Sequence, residues 1–123
     1  MALIVIAEDE FLIAEVLTIM LEDAGHQVEA AGHGLAALSL VQEKRPDLVI
    51  TDFMMPLMTG LELAKVMRAD NELSSIPIIL VSGAQAGVGR SHPEFFDAVL
   101  AKPYVESQIL RAVDAALTGR DWR

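Results

Sequence analysis

Short apolar runs alternate along this chain with longer stretches of helical spacing, and this alternation limits the possible folds more than any other feature. The apolar runs have four or five residues, which is too short for a helix and typical of strands buried on both faces. They are residues 3–7, 48–51, 78–81 and 98–101, with residues 27–31 as a weaker fifth run. The intervening apolar residues, spaced as on one face of a helix, lie around residues 13–20, 35–41, 61–67 and 105–117.

This alternation predicts a parallel sheet with helices on both faces. A parallel connection needs a crossover, and the crossover helix covers a face of the sheet. Gly25 is placed to stop the first helix, and Thr59 with Glu62 has the spacing of a capping box at the start of the third. The sequence therefore predicts an α/β fold with a doubly wound, five-stranded parallel sheet in one domain, residues 1–123.

Composition and charge narrow the classes of function. The 123 residues carry a net charge of −9, and residues 1–60 hold ten acids but two bases. Direct binding to nucleic acid is not expected, because that affinity depends on cationic contacts to phosphates. The absence of cysteine removes disulfides and thiolate metal sites. No apolar run approaches about 18 residues and the start is not basic, so we expect a cytoplasmic protein without membrane insertion.

Charged and polar side chains follow four of the predicted strands. They are Glu8, Asp9 and Glu10 after the first strand, Asp52 after the third, Ser82 after the fourth and Lys102 after the fifth. Ligands of open parallel sheets bind beyond the carboxyl ends of the strands, so we expect these side chains to meet at one edge. Taken singly, the acids could cap a helix, the serine could begin one, and the lysine could lie in a surface turn. Those explanations do not account for complementary charges at four strand ends.

The acids at residues 8, 9 and 52 suggest phosphoryl chemistry. A carboxylate can attack phosphorus, but an anionic phosphoryl group repels it unless a cation neutralises the charge. Mg²⁺ accepts one or two carboxylates, a carbonyl and several waters, and these three acids could supply that shell. The residues therefore suggest a carboxylate nucleophile held at the rigid end of a strand, beside Mg²⁺ and Lys102.

Several motifs, in order along the chain, carry a resemblance to a known family. They are "EDE" after the first strand, "AGHQVEAAGHGLAAL", "RPDLVITDFMMPLMTGLEL" around Asp52, "IPIILVSG" and "AKPY". Over nearly its whole length the chain resembles the receiver domain of two-component response regulators. The resemblance implies a flavodoxin-like sheet of strand order 2-1-3-4-5 and a signalling switch that depends on phosphorylation and Mg²⁺.

The resemblance also implies roles at the metal site. Asp52 would be the phosphoacceptor, and Asp9 and Asp52 would ligate Mg²⁺ directly. Glu8 would act through water, and the backbone carbonyl of Met54 would complete the protein ligands.

Two further residues would contact the phosphoryl group itself. Lys102 would pair with phosphoryl oxygens, and Ser82 would donate a hydrogen bond to them. The group would come from a histidine kinase or a histidine phosphotransfer protein, and its arrival would change the face that binds a downstream protein partner or a second copy of the chain in a homodimer. The domain would catalyse only its own phosphorylation and dephosphorylation, so it is not expected to be an enzyme in the usual sense.

Two other functions fit parts of the pattern. An aspartyl-nucleophile phosphatase would need a second aspartate two residues after Asp52, where this chain has Met54. A pseudo-receiver, a folded interaction module that is never phosphorylated, would normally lose the acceptor or one of the acids, and this chain keeps them.

The sequence departs from the family at three places. Glu8 and Asp9 stand where two aspartates are common, and Val99 stands where the family usually has the Tyr or Phe that turns inward on activation. Residues 83–96 contain glycines and a proline, which cost a helix interior about 1 and about 3 kcal/mol each. We therefore expect a short, loose or displaced fourth helix, and a switch carried by residues 83–96 rather than by ring rotation.

Smaller expectations concern residues beside the site and in the loops. Met54 and Ala84 stand at positions whose side chains, in the family, influence how a water reaches the phosphoryl group. Neither side chain can hydrogen-bond strongly to orient that water, so we expect slow autodephosphorylation. Met55 is expected to fill the core, and Trp122 to contact a partner or be disordered. The histidines lack the spacing of metal ligands and are expected at the surface or in loops; they are His26, His33 and His92.

Overall fold

Five strands and five helices alternate along the chain. A computed structural model describes residues 2–83 and 86–119; Ala84 and Trp122, about which expectations were stated, lie outside them. The strands are β1 (Leu3–Ala7), β2 (Gln27–Ala31), β3 (Leu48–Asp52), β4 (Ile78–Ser82) and β5 (Ala98–Ala101). The helices are α1 (Phe11–Asp23), α2 (Gly34–Lys44), α3 (Gly60–Ala69), α4 (Ala86–Arg90) and α5 (Glu106–Thr118).

The strands form one parallel sheet of order β2-β1-β3-β4-β5. Alternate residues of each strand point to opposite faces, so Val5 joins one apolar cluster and its neighbours Ile4 and Ile6 join the other. Both faces are therefore buried, as the continuous apolar runs predicted. The predicted fold class and strand order are confirmed. Met55 is also in the core, with 7% of its surface exposed.

The helix boundaries follow local signals, most of which the sequence predicted. The capping box of α3 is present, with Thr59 and Glu62 each bonding the other's backbone N–H. Gly25 has a φ of 95°, a left-handed conformation that glycine adopts readily, just past the end of α1. The cap of α2 was not predicted: Nδ1 of the half-buried His33 accepts from the backbone N–H of Ala36 at 3.1 Å.

Helix α4 has only five residues, which confirms the expected short fourth helix. Ala86 and Gly89 are its buried residues and face the sheet. A Cβ at Gly89 would lie 2.3 Å from Cδ2 of Leu80 and 3.3 Å from Cγ2 of Val99, so α4 rests directly on β4 and β5.

Two glycines allow the loop between β3 and α3 to pack closely. A Cβ at Gly60 would lie 2.2 Å from the backbone oxygen of Asp52, and the Gly60 N–H donates to the Phe53 carbonyl at 2.7 Å. A Cβ at Gly34, the first residue of α2, would lie 2.2 Å from the backbone oxygen of Met58. The chain beyond Asp52 is thus held from both sides by backbone contacts.

Arg68 cross-links three segments at the opposite corner of the domain. Its guanidinium donates to the Ser74 and Ile76 carbonyls at 2.9 and 2.6 Å, to the Phe95 carbonyl at 3.0 Å and to the Asp97 carboxylate at 2.9 Å. Only 16% of the Arg68 side chain is exposed, and its contacts with the Ile76 and Phe95 carbonyls are partly buried. Among the helices so described, none has the length and apolar character to cross a membrane.

Candidate functional site

Three carboxylates meet at the carboxyl edge of the sheet. Glu8 and Asp9 follow β1, and Asp52 ends β3, the neighbouring strand. Each offers one oxygen such that these oxygens all lie within 4.8 Å of one another. Glu8 is buried, Asp52 is half-buried and Asp9 is exposed. The cluster therefore opens to solvent on the side of Asp9.

The two oxygens of Asp52 have different surroundings. Oδ1 accepts a hydrogen bond from the Phe53 backbone N–H at 2.9 Å. Oδ2 lies 3.5 Å from the Lys102 ammonium, and 13% of the Asp52 side chain is exposed. The backbone thus fixes the carboxylate in orientation, and one oxygen is left facing a cation.

Glu8 is the buried member of the three acids. Its Oε2 accepts from the Glu10 backbone N–H at 3.1 Å, and its Oε1 lies 3.3 Å from the Lys102 ammonium. Burial raises the pKa of Glu8 above its ordinary value, and the Asp52 charge adds to this against the opposing effects of the Glu10 N–H and Lys102. Glu10 occupies the N-cap position of α1, yet its side chain makes no cap hydrogen bond with the described residues. Helix capping alone therefore does not explain this acid cluster.

Lys102 is the cation that faces the cluster. Burial acts to lower its pKa, but the Asp52 and Glu8 carboxylates outweigh this and raise the pKa above its ordinary value. The ammonium therefore stays charged. The peptide bond between Lys102 and Pro103 is cis.

Ser82 ends β4 at the same edge, one strand away from Asp52. Its register partner on β5 is Ala101, directly before Lys102. The residue is 1% exposed, and its hydroxyl forms no hydrogen bond with any of residues 2–83 or 86–119. A buried hydroxyl is normally paired, and the role of this one toward a phosphoryl group stays a prediction.

The donor set fits a hard divalent cation. Three carboxylates against one ammonium leave a local excess of negative charge, and carboxylate oxygens are the ligands that Mg²⁺ prefers. The Met54 carbonyl follows Phe53 in the same loop, and its role as a ligand stays a prediction. The structure thus brings together four predicted side chains of the site, those of Glu8, Asp9, Asp52 and Lys102. Ser82 lies at the same edge, at the end of the neighbouring strand β4.

Tyr104 was not predicted as part of this environment. It is half-buried, and burial raises the pKa of its hydroxyl, with smaller electrostatic effects of Lys102, Glu8 and Asp52. The tyrosine also packs against the apolar cluster formed by β1, β3, β4, β5, α1 and α5. The only sequence signal was its place two residues after the lysine in "AKPY".

Known proteins share this fold and these motifs. The family model for the response regulator receiver domain matches residues 4–114. The DNA-binding response regulator MtrA of Mycolicibacterium paratuberculosis is 32% identical over 128 residues, covering 96% of this chain and 52% of that protein. Protein PilH of Pseudomonas aeruginosa is 33% identical over 121 residues, covering 97% of this chain and 100% of that protein. A similar fold is seen in the crystal structure of the signal receiver domain of a signal transduction histidine kinase from Syntrophus aciditrophicus. The TM-score is 0.89 at 32% identity, and the match covers 97% of this chain and 92% of that chain.

The chain therefore belongs to the response regulator receiver domain family. The family expected from the sequence motifs is confirmed, as is the flavodoxin-like architecture. Receiver domains act in two-component signalling and interact with histidine kinases and downstream effectors. The chain spans about half the length of the MtrA proteins that it matches.

Proposed function

We propose that this domain is a phosphorylation-dependent switch that accepts a phosphoryl group on Asp52. The observation that carries the proposal is the placement of the Asp52 carboxylate, with Oδ1 bonded to the backbone and Oδ2 3.5 Å from Lys102. A nucleophile needs a fixed orientation and a compensated charge, and this arrangement provides both.

The transfer step can be written for Asp52 and a phosphohistidine donor. A carboxylate oxygen of Asp52 forms a bond to phosphorus as the P–N bond of the donor breaks. The imidazole leaves with the electron pair and takes up a proton. Lys102 pairs with the incoming phosphoryl oxygens, and the buried hydroxyl of Ser82 donates to one of them.

Glu8, Asp9 and Asp52 would hold a Mg²⁺ ion, with the Met54 carbonyl as a further ligand. A Mg²⁺ ion held by these residues would neutralise the negative charge of the phosphoryl group. The close spacing of the three carboxylates supports this assignment, because they repel one another without a cation. Asp9 is the exposed member and gives the ion access from solvent.

The donor is proposed to be a histidine kinase or a histidine phosphotransfer protein, and the signal is passed to a downstream protein. Val99 is a small, buried residue with 7% of its surface exposed, so a large inward ring motion is not available at this position. The alternative is a rearrangement of residues 83–96, where α4 is short. This region adjoins Ser82 directly.

Intact-mass measurement tests the acceptor assignment. The protein is incubated with acetyl phosphate and Mg²⁺, and a gain of one phosphoryl group is expected. Asp52→Asn should prevent the gain and Asp9→Ala should slow it, whereas Glu22→Gln, which removes an acid elsewhere, should leave it unchanged. The phosphatase alternative would release phosphate without an adduct, and a pseudo-receiver would do neither. An unchanged adduct in Asp52→Asn would contradict the assignment.

A further inference from the structure

His33 is the N-cap residue of helix α2, and it caps the helix through a ring nitrogen. Its Nδ1 accepts a hydrogen bond from the Ala36 backbone N–H at 3.1 Å. The first N–H groups of a helix have no partner within the helix, so this bond satisfies a donor that would otherwise be unpaired. Ala36 is half-buried and packs against an apolar cluster, so water has limited access to replace the imidazole.

Histidine differs in one respect from the residues that usually cap helices. Serine, threonine and asparagine accept hydrogen bonds at any pH near neutrality, whereas an imidazole ordinarily takes up a second proton at about pH 6.5. In the protonated form both ring nitrogens carry hydrogen and neither can accept. The bond from Ala36 to His33 therefore exists only while the ring is neutral. An imidazolium would also lie at the positive end of the α2 dipole, which is unfavourable for the helix.

Acids that favour a protonated His33 lie on one side of it. Its neighbour Gly32 lines a cavity together with the acids Glu8, Asp9 and Glu15. Across the ranges 2–83 and 86–119, no charged side chain forms an ion pair or a hydrogen bond with His33. The negative charge of this cavity acts through space and favours proton uptake by the ring, at the expense of the cap.

Charges on the other neighbouring elements are absent, engaged or distant. The first turn of α2 contains no acid, and residues 53–59 of the β3–α3 loop contain no charged residue. The Glu62 carboxylate, at the start of α3, accepts from the Thr59 N–H at 2.8 Å. Glu29 of β2 lines a cavity with Lys44, the last residue of α2. The acids beside Gly32 are therefore the ones that oppose the cap.

The first turn of α2 rests on the loop that follows Asp52. A Cβ at Gly34 would lie 2.2 Å from the backbone oxygen of Met58 and 2.5 Å from its Cβ, so the helix start and the loop are in direct contact. The Gly60 N–H closes the base of the loop by donating to the Phe53 carbonyl. Loosening the first turn of α2 therefore removes the support of this loop on one side.

We propose that His33 is an acid-sensitive clamp on the loop between Asp52 and α3. The neutral ring caps α2 and holds its first turn against Met58, whereas the protonated ring releases that turn. The stabilisation is therefore present at high pH and is lost as the pH falls through the titration of His33. The clamp is a property of packing, and it holds whether or not Asp52 accepts a phosphoryl group.

NMR measurements from about pH 8 to about pH 5.5, without Mg²⁺ or a phosphodonor, test the proposal. The ring nitrogen signals of His33 report its protonation. Amide hydrogen exchange, corrected for its intrinsic pH dependence, reports the protection of Ala36. As the ring is protonated, this protection should fall about two- to thirtyfold, the contribution of one N-cap. The amide signal of Met58 should shift with the same midpoint.

His33→Asn is the matched variant, because asparagine caps helices well and does not titrate. It should keep the protection of Ala36 at high pH and abolish its fall in acid. His92→Gln, which removes a histidine far from α2 in the chain, should leave that fall unchanged. Should His33→Asn fail to fold, the midpoints of the ring and of Ala36 in the wild type still decide. Constant protection of Ala36 while the ring is protonated, a ring that stays neutral to about pH 5.5, or an equal fall in His33→Asn would overturn the proposal.

Discussion

Repulsion among the three carboxylates should lower the folding stability of the protein when no divalent cation is bound. Asp52→Asn removes one of the three charges and should therefore raise the stability. At the 4.8 Å limit set by the structure, two carboxylates repel by about 3.5 kcal/mol at an effective dielectric constant of about 20. Asp52 has two such neighbours, but its contact with Lys102 at 3.5 Å is worth about 5 kcal/mol of attraction on the same scale. Because Asp9 is exposed, its repulsion is screened further. The net gain on neutralising Asp52 is therefore about 1–2 kcal/mol.

Urea denaturation followed by circular dichroism measures this gain. In EDTA, Asp52→Asn should raise the free energy of unfolding by about 1–2 kcal/mol and raise the Tm by about 5 °C. In Mg²⁺ at ten times its Kd the wild type should gain about 1.4 kcal/mol, and the variant should gain much less. The advantage of the variant should therefore shrink when Mg²⁺ is added.

Glu22→Gln is the matched control for this experiment. It removes one acid from the exposed face of α1, outside the cluster, and should not alter the response to Mg²⁺. If Asp52→Asn were no more stable than the wild type in EDTA, or gained as much from Mg²⁺, the electrostatic account of the site would be wrong.

Three other predictions follow from the same structure. Gly34→Ala should destabilise the domain by about 1–3 kcal/mol, because its Cβ would lie 2.2 Å from a backbone oxygen. Gly87→Ala should stabilise the domain by up to about 1 kcal/mol, because its Cβ would meet nothing within 4 Å. Equal effects of the two substitutions would refute this packing argument. Folding raises the pKa of Glu8 above its ordinary value of 4.5, so the folded state holds the Glu8 proton more tightly than the unfolded state does. The free energy of unfolding in EDTA should therefore fall as the pH rises above 4.5. Glu8→Gln should make this fall smaller. Met54→Asn should speed loss of the phosphoryl group by orienting a water, and an unchanged decay measured by intact mass would rule this out.

The strands and the composition of the site could be predicted because each rests on a local pattern. Buried strands gave continuous apolar runs, and parallel strands bring their carboxyl ends to one edge, so Asp52 and Lys102 could be placed together from sequence alone. The predicted ends of β3 and β4 were one residue short, since pairing with neighbouring strands continues through Asp52 and Ser82. Asp52 and Ser82 are polar, so an apolar run in the sequence cannot show that the strand continues through them.

Contacts between loops could not be predicted in the same way. In the sequence, Gly34 looks like an ordinary first residue of a helix. Its close approach to the Met58 backbone depends on how the whole sheet positions α2 and the β3–α3 loop. The His33 cap depends on a ring nitrogen that sequence patterns do not distinguish from a surface histidine. The environment of Tyr104 likewise arises from the packing of α1 and α5. Such features combine segments that are distant in sequence.

The contacts of Arg68 also bear on where the domain can be re-engineered. One side chain fixes the end of α3, the turn at residues 74–76 and the connection at residues 95–97 relative to one another. An inserted reporter or a new chain terminus in either connection would separate several acceptors from the guanidinium at once, leaving this mostly buried group without partners. Circular permutation or fusion is better placed in a connection away from this corner, such as the exposed Gly32, where a Cβ would meet nothing within 4 Å. A biosensor built there would keep the Arg68 corner intact.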